Sequence, residues 1–79
     1  MNKEKYEEAF MKALDLKTKD GLEDLKYQDI PAWDSVGHMT LIAELEDTFD
    51  IEIETDDIID FSSFQKGIEL LKKYDVVID

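Results

Sequence analysis

The 79-residue chain contains no cysteine and no arginine, and only one histidine and one proline. Without cysteine it can form no disulfide, no Cys-based zinc site and no cysteine nucleophile. Its longest apolar runs have three residues, too short for a transmembrane helix. The first five residues lack the apolar core of a signal peptide. We therefore expect a cytoplasmic protein with no membrane insertion.

Positive charge is also scarce, since 21 acidic residues face nine lysines and the net charge is −12. The imbalance is concentrated in residues 34–79, which hold 13 acids and three lysines, a net of −10. Such a chain is poorly suited to nucleic acid, whose phosphates require clustered cations. It is well suited to basic protein partners, because a field of one sign speeds their encounter. We expect a single domain over residues 1–79, and a monomer.

The hydrophobic pattern predicts an all-α bundle of three to four helices. Ser62 and Gln65 have the spacing of a capping box, with Ser62 as the N-cap of the last helix. Phe49, Ile51 and Ile53 are expected to point inward from an extended segment. The predicted elements are a helix over 3–16, a long loop over 17–33 with a short turn near 22–25, a helix from 34–35 to about 48, a short helix over 56–60 and a last helix to about 74.

The second helix carries two apolar stripes. The core-facing stripe includes His38, Leu41, Ile42, Leu45 and Phe49. A second stripe of Val36, Met39 and Ala43 lies on another side of the helix, within about 60° of arc. It is bordered by the acids Glu44, Glu46 and Asp47. Because a small bundle seldom buries two faces of one helix, this second stripe predicts a docking surface for a partner with an apolar socket and a basic rim.

Ser35 stands at the start of this helix, where a serine can have three roles. Asp34 is a preferred N-cap residue, and Ser35 beside it could simply serve the same end. A hydrolase would need a base, an orienting group and an oxyanion hole, and His38 is the only histidine and lies on the core face. A third role is covalent attachment, because a helix N-terminus favours a bound phosphate.

The residues from Trp33 to Met39 and the spaced pattern that follows them resemble an acyl carrier protein. The resemblance rests on Trp33-Asp34-Ser35-Val36-Gly37-His38-Met39, followed by Leu41-Ile42, Leu45-Glu46, Phe49, Ile51 and Ile53. The resemblance covers about residues 30–71 and is weaker before them. The Asp-Ser-Val triplet alone is a weak signal, but its place at the start of an amphipathic helix in a short acidic chain makes it strong.

The resemblance implies an acyl-carrier-protein fold and a specific chemistry. Ser35 would receive 4′-phosphopantetheine from coenzyme A through a phosphopantetheinyl transferase, and Asp34 would help that transferase recognise the site. The arm would carry acyl groups as thioesters to enzymes of fatty-acid, polyketide or related biosynthesis. The chain itself would not be an enzyme. The implied partner-binding residues are Val36, Met39, Ala43, Glu46 and Asp47.

Two alternatives to acyl transport stay open at this stage. One is a carrier of amino acids such as D-alanine, and the other is an unmodified acidic interaction module that uses Ser35 only as a cap. Gly37 and Thr40 stand where many family members have acids. Trp33 and His38 are expected to be packing residues. No metal site is expected, because the alternating acids of residues 50–54 lack the glycine of a calcium loop.

Overall fold

The structure is a computed structural model that describes residues 2–79, and this range contains four α-helices and no β-strand. This confirms the all-helical prediction and the long connection before the second helix. The helices are α1 (Asn2–Leu14), α2 (Ser35–Phe49), α3 (Thr55–Asp60) and α4 (Phe64–Leu71), with 3₁₀ turns at Leu22–Asp24 and Lys72–Tyr74.

Two helices end at an aspartate in the left-handed region. Asp15 follows α1 with a φ of 53°, and Asp50 follows α2 with the same φ. The next residue closes each end, since the Leu16 amide donates to the Met11 carbonyl and the Ile51 amide to the Glu46 carbonyl. Aspartate tolerates this conformation better than most residues. The first helix therefore stops two residues earlier than its apolar pattern predicts.

The predicted capping box of the last helix is wrong by one residue. The N-cap of α4 is Ser63, whose Oγ accepts from the Lys66 amide at 2.9 Å. Gln65 does not close a box, and its side chain donates to the Glu23 carbonyl instead. The shift has a reason in the fold: the chain around Ser63 pairs with the long loop, through Tyr27 N to Ser62 O and Phe64 N to Leu25 O.

Aromatic side chains from four segments build the core. Phe10 lies at its centre and makes an edge contact with Trp33 at 5.4 Å between ring centroids. It also packs against Tyr6, Phe61 and Phe64. Ile53 is buried as predicted, whereas Phe49 and Ile51 are half-buried. The Trp33 side chain, fully buried, thus joins the loop before α2 to the core.

Gly37 is required by the close approach of this loop to α2. A Cβ at position 37 would overlap the carbonyl oxygen of Ala32 and lie 3.3 Å from Leu14 Cδ2. A glycine inside a helix costs about 0.5–1 kcal/mol relative to alanine. The cost is offset here, because the missing side chain lets the segment that carries Trp33 lie directly on the first turn of α2.

Among residues 2–79, no helix combines the length and the apolar character needed to span a bilayer.

Candidate functional site

Ser35 is exposed and forms the first residue of α2. The preceding Asp34 caps the helix, since its Oδ1 accepts from the Gly37 amide at 2.8 Å and its carbonyl accepts from the His38 amide. The cap confirms the predicted start of the helix. Asp34 thus accepts the hydrogen bond of the Gly37 amide. The amides of Ser35 and Val36 precede Gly37 and lie at the solvent-facing end of the helix.

His38 is a packed residue, as predicted, and the structure shows that both of its ring nitrogens are engaged. Its Nδ1 accepts from Trp33 Nε1 at 2.9 Å, and its Nε2 lies 2.8 Å from the carbonyl oxygen of Ile58. The indole N–H can only donate and the carbonyl can only accept, so the two contacts together require the tautomer with its proton on Nε2. His38 consequently has no free acceptor for the Ser35 hydroxyl.

A groove of about 330 Å³ opens beside Ser35, between α2 and α3. Its lining is largely apolar, with hydroxyl groups at Ser35, Tyr27 and Ser62. The remaining lining residues are His38, Met39, Ile58, Ile59 and Phe61. The groove therefore offers an apolar surface within reach of any group attached to the Ser35 oxygen.

The second apolar stripe of α2 is exposed. Val36 is 73% exposed and Met39 is 54% exposed, and Ala43 is exposed as well. By contrast, Leu41 and Ile42 on the predicted core face are buried. The helical pattern thus separated the two faces correctly. The docking role of the exposed stripe stays a prediction.

Two of the three acids predicted to border this stripe, Glu46 and Asp47, differ in their surroundings. Asp47 is exposed, whereas Glu46 is half-buried and its Oε2 accepts from the Ile53 amide at 2.8 Å. Glu46 therefore holds the segment that leads into α3. A partner can contact only the part of the Glu46 carboxylate that is not occupied by the hydrogen bond to Ile53.

The short helix α3, which forms one wall of the groove, is held by a buried carboxylate. Asp57 accepts from Lys73 Nζ at 2.7 Å and from the Tyr74 hydroxyl, and the same hydroxyl accepts from the Glu54 amide. The hydrogen bonds from Lys73 and Tyr74 hold the pKa of the Asp57 carboxyl below its ordinary value. Asp57 is therefore ionised near neutral pH, and α3 is tied to the last turn of the chain.

The sequence did not predict the wall of the groove that lies opposite α2. Tyr27, Ile58, Ile59 and Ser62 lie 8 to 27 positions from Ser35 in the chain, and no spacing rule brings them to it. One signal was available at Ile59, because the Ile58-Ile59 pair in a short amphipathic helix leaves one of the two side chains exposed. Ile59 is 73% exposed.

The structure brings no group of three or more His, Asp or Glu side chains together as a metal site, within residues 2–79. No protein-family model matches the chain, and the searches of curated proteins and of solved structures give no significant match.

Proposed function

We propose that this protein is a carrier of the acyl-carrier-protein type, with Ser35 as the attachment point of 4′-phosphopantetheine. The observation that carries the proposal is an exposed serine on the first turn of a capped helix, beside an apolar groove and an exposed apolar stripe. The arrangement suits a residue that another enzyme must reach. It does not suit a nucleophile, because His38 is engaged through both nitrogens.

The residues around Ser35 fit the proposed group. The amide end of a helix favours an attached phosphate, and Ser35 is exposed. The groove between α2 and α3 can accept the apolar parts of an arm that starts at the Ser35 oxygen. The group would supply a terminal thiol for holding acyl cargo, which a chain without cysteine cannot supply itself.

The proposed partners are a phosphopantetheinyl transferase and the enzymes that load and process acyl groups. The exposed stripe of Val36, Met39 and Ala43 would enter an apolar socket, and Asp47 at its border would face basic residues. The net charge of −12 would speed the encounter with such surfaces. The pathway we propose is fatty-acid, polyketide or related biosynthesis.

Mass spectrometry of the intact protein tests the proposal. We expect the chain to gain the mass of one phosphopantetheine after incubation with coenzyme A and a phosphopantetheinyl transferase of broad specificity. The Ser35→Ala variant should stay unmodified. Ser62→Ala is the matched control, because Ser62 is also exposed and lines the same groove, and it should be modified as the parent is.

Two results of this experiment would contradict the proposal. If several transferases leave the parent chain unmodified while it remains folded, the carrier proposal is wrong and an unmodified acidic interaction module takes its place. If the Ser35→Ala variant still gains the group, the attachment point lies elsewhere.

A further inference from the structure

Three elements meet at the imidazole of His38. They are α2, α3 and the end of the long loop before α2, which carries Trp33 and is called the Trp33 loop below. His38 belongs to α2, receives a hydrogen bond from the indole of Trp33 and faces the carbonyl of Ile58 at the end of α3. All three elements border Ser35, which lies two residues after Trp33 and shares the groove with Ile58. The relative placement of the elements around Ser35 therefore depends in part on a pair of hydrogen bonds made by the His38 side chain.

The two hydrogen bonds respond differently to a proton on His38. The bond to Ile58 survives, because Nε2 donates in both charge states. The bond to Trp33 does not survive, because a protonated Nδ1 becomes a donor facing the indole N–H. Trp33 is 0% exposed, so its indole would be left in the core without an acceptor. An unsatisfied buried donor is destabilising, and the protonated arrangement is disfavoured.

The charged and titratable groups around His38 do not replace the lost hydrogen bond. No carboxylate oxygen lies within 4 Å of either ring nitrogen in the described chain. Asp34, the N-cap of α2, is bound to the Gly37 amide. On α3, Asp57 is bound to Lys73 and Tyr74, and Asp60 is exposed. From the loop, Tyr27 presents its ring edge at 5.3 Å between centroids.

We propose that His38 is a pH-sensitive positioning residue for the Ser35 site: neutral, it joins the Trp33 loop to α2 and α3, and protonated, it releases that loop. Histidine is the side chain that changes charge between pH 5 and 8. The native contact requires the neutral form, so its stability is present at higher pH and is lost as the pH falls. One proton changes the opening equilibrium by at most about tenfold per pH unit.

Nuclear magnetic resonance of the unmodified protein tests this inference, because His38 and Trp33 are the only residues of their types. When the pH is lowered from 8 to 5, we expect the Trp33 indole N–H signal to change together with the His38 ring signals. Amide protection at Gln28 and Trp33, whose N–H groups close the loop, should fall up to tenfold per pH unit. Protection of Phe10 in α1 should not change.

His38→Gln is the conservative variant, since a glutamine amide also offers one donor and one acceptor but carries no charge. We expect its indole signal and its loop protection to be independent of pH over the same range. The inference is overturned if the parent's indole signal stays constant through the His38 titration, if His38 does not titrate above pH 5, or if α1 loses protection together with the loop. The parent titration decides the question even if the variant does not fold.

The inference concerns the site of the proposed function, but its test requires no attached group. Failure of modification at Ser35 and failure of the His38 titration are therefore separate results.

Discussion

At the scale of single residues, Asp34 has one role that the structure shows and one that we propose. Its carboxylate caps α2 through the Gly37 amide at 2.8 Å. The proposed role is recognition by the transferase, for which the negative charge matters. Asparagine caps helices about as well as aspartate but carries no charge. The two roles can thus be separated by substitution at this one position.

We expect Asp34→Ala to lower the free energy of unfolding by about 1 kcal/mol, because it removes the cap. Asp34→Asn should have the stability of the parent, because asparagine also caps the helix. The transferase should nevertheless modify it more slowly, because the negative charge is gone. Urea denaturation measures the first effect and the initial rate of phosphopantetheine transfer measures the second. Transfer to the Asn variant at the parent's rate would show that Asp34 serves only as a cap.

His38 and Gly37 show which properties of a single residue the sequence predicts and which it does not. Helical spacing placed His38 on the core face, and its packed state is confirmed. The spacing could not name Trp33 and Ile58 as its two partners, because one precedes the helix and the other lies 20 residues later. The need for glycine at position 37 is likewise invisible in the pattern, since it comes from the carbonyl of Ala32 on a separate segment.

At the scale of elements, α2 presents one buried face and one exposed apolar face. The buried face anchors the helix through Leu41, Ile42 and Leu45, while Val36 and Met39 are exposed. A charge placed on an exposed position of a helix usually changes stability by less than about 0.5 kcal/mol. Substitution on the exposed stripe therefore tests docking without disturbing the fold.

We expect Met39→Glu to weaken partner enzymes by at least about tenfold in affinity, which corresponds to about 1.4 kcal/mol. The helical content, measured by circular dichroism, should match that of the parent. Thr48→Glu is the matched control, because Thr48 is exposed on the same helix but outside the stripe, and it adds the same charge. Equal binding by both variants would mean that Met39 lies outside the docking surface.

The short helix α3 depends on tertiary contacts for its existence. Six residues are too few for a stable isolated helix in water, because nucleation is costly. Its composition predicted one or two turns, and Thr55–Asp60 confirms them. Its position beside Ser35 is set by two sets of contacts. Asp57 bonds to Lys73 and Tyr74, which lie 16 and 17 residues further along the chain, and Ile58 faces His38 of α2.

At the scale of the whole molecule, most of the negative charge is unpaired. Ten acids lie between residues 34 and 62. Only Glu44 and Asp57 among them pair with a lysine in the described structure, namely Lys12 at 3.6 Å and Lys73 at 2.7 Å. Like charges at this density repel and destabilise the compact state.

We expect the melting temperature to rise as salt screens this repulsion. Raising ionic strength from about 0.01 M to 0.15 M shortens the Debye length from about 30 to 8 Å. A rise of roughly 4–8 °C would correspond to about 1 kcal/mol of stabilisation. Differential scanning calorimetry at neutral pH measures it. A melting temperature independent of salt would show that the acids are spaced widely enough not to interact.

The resemblance of the stretch around Ser35 to an acyl carrier protein supported Ser35 as the candidate site. Apart from that resemblance, the amino-acid sequence alone determined where α1, α2 and α4 lie, the two faces of α2 and the cap at Asp34. These features follow from local rules, namely the helical period and the capping preferences, which act over a few residues. Only the tertiary structure decided that the groove joins Tyr27 and Ile59 to Ser35, that Ser63 rather than Ser62 caps α4, and that His38 joins Trp33 to α3. Each of these depends on segments distant in the chain, whose meeting is a property of packing and not of any local pattern.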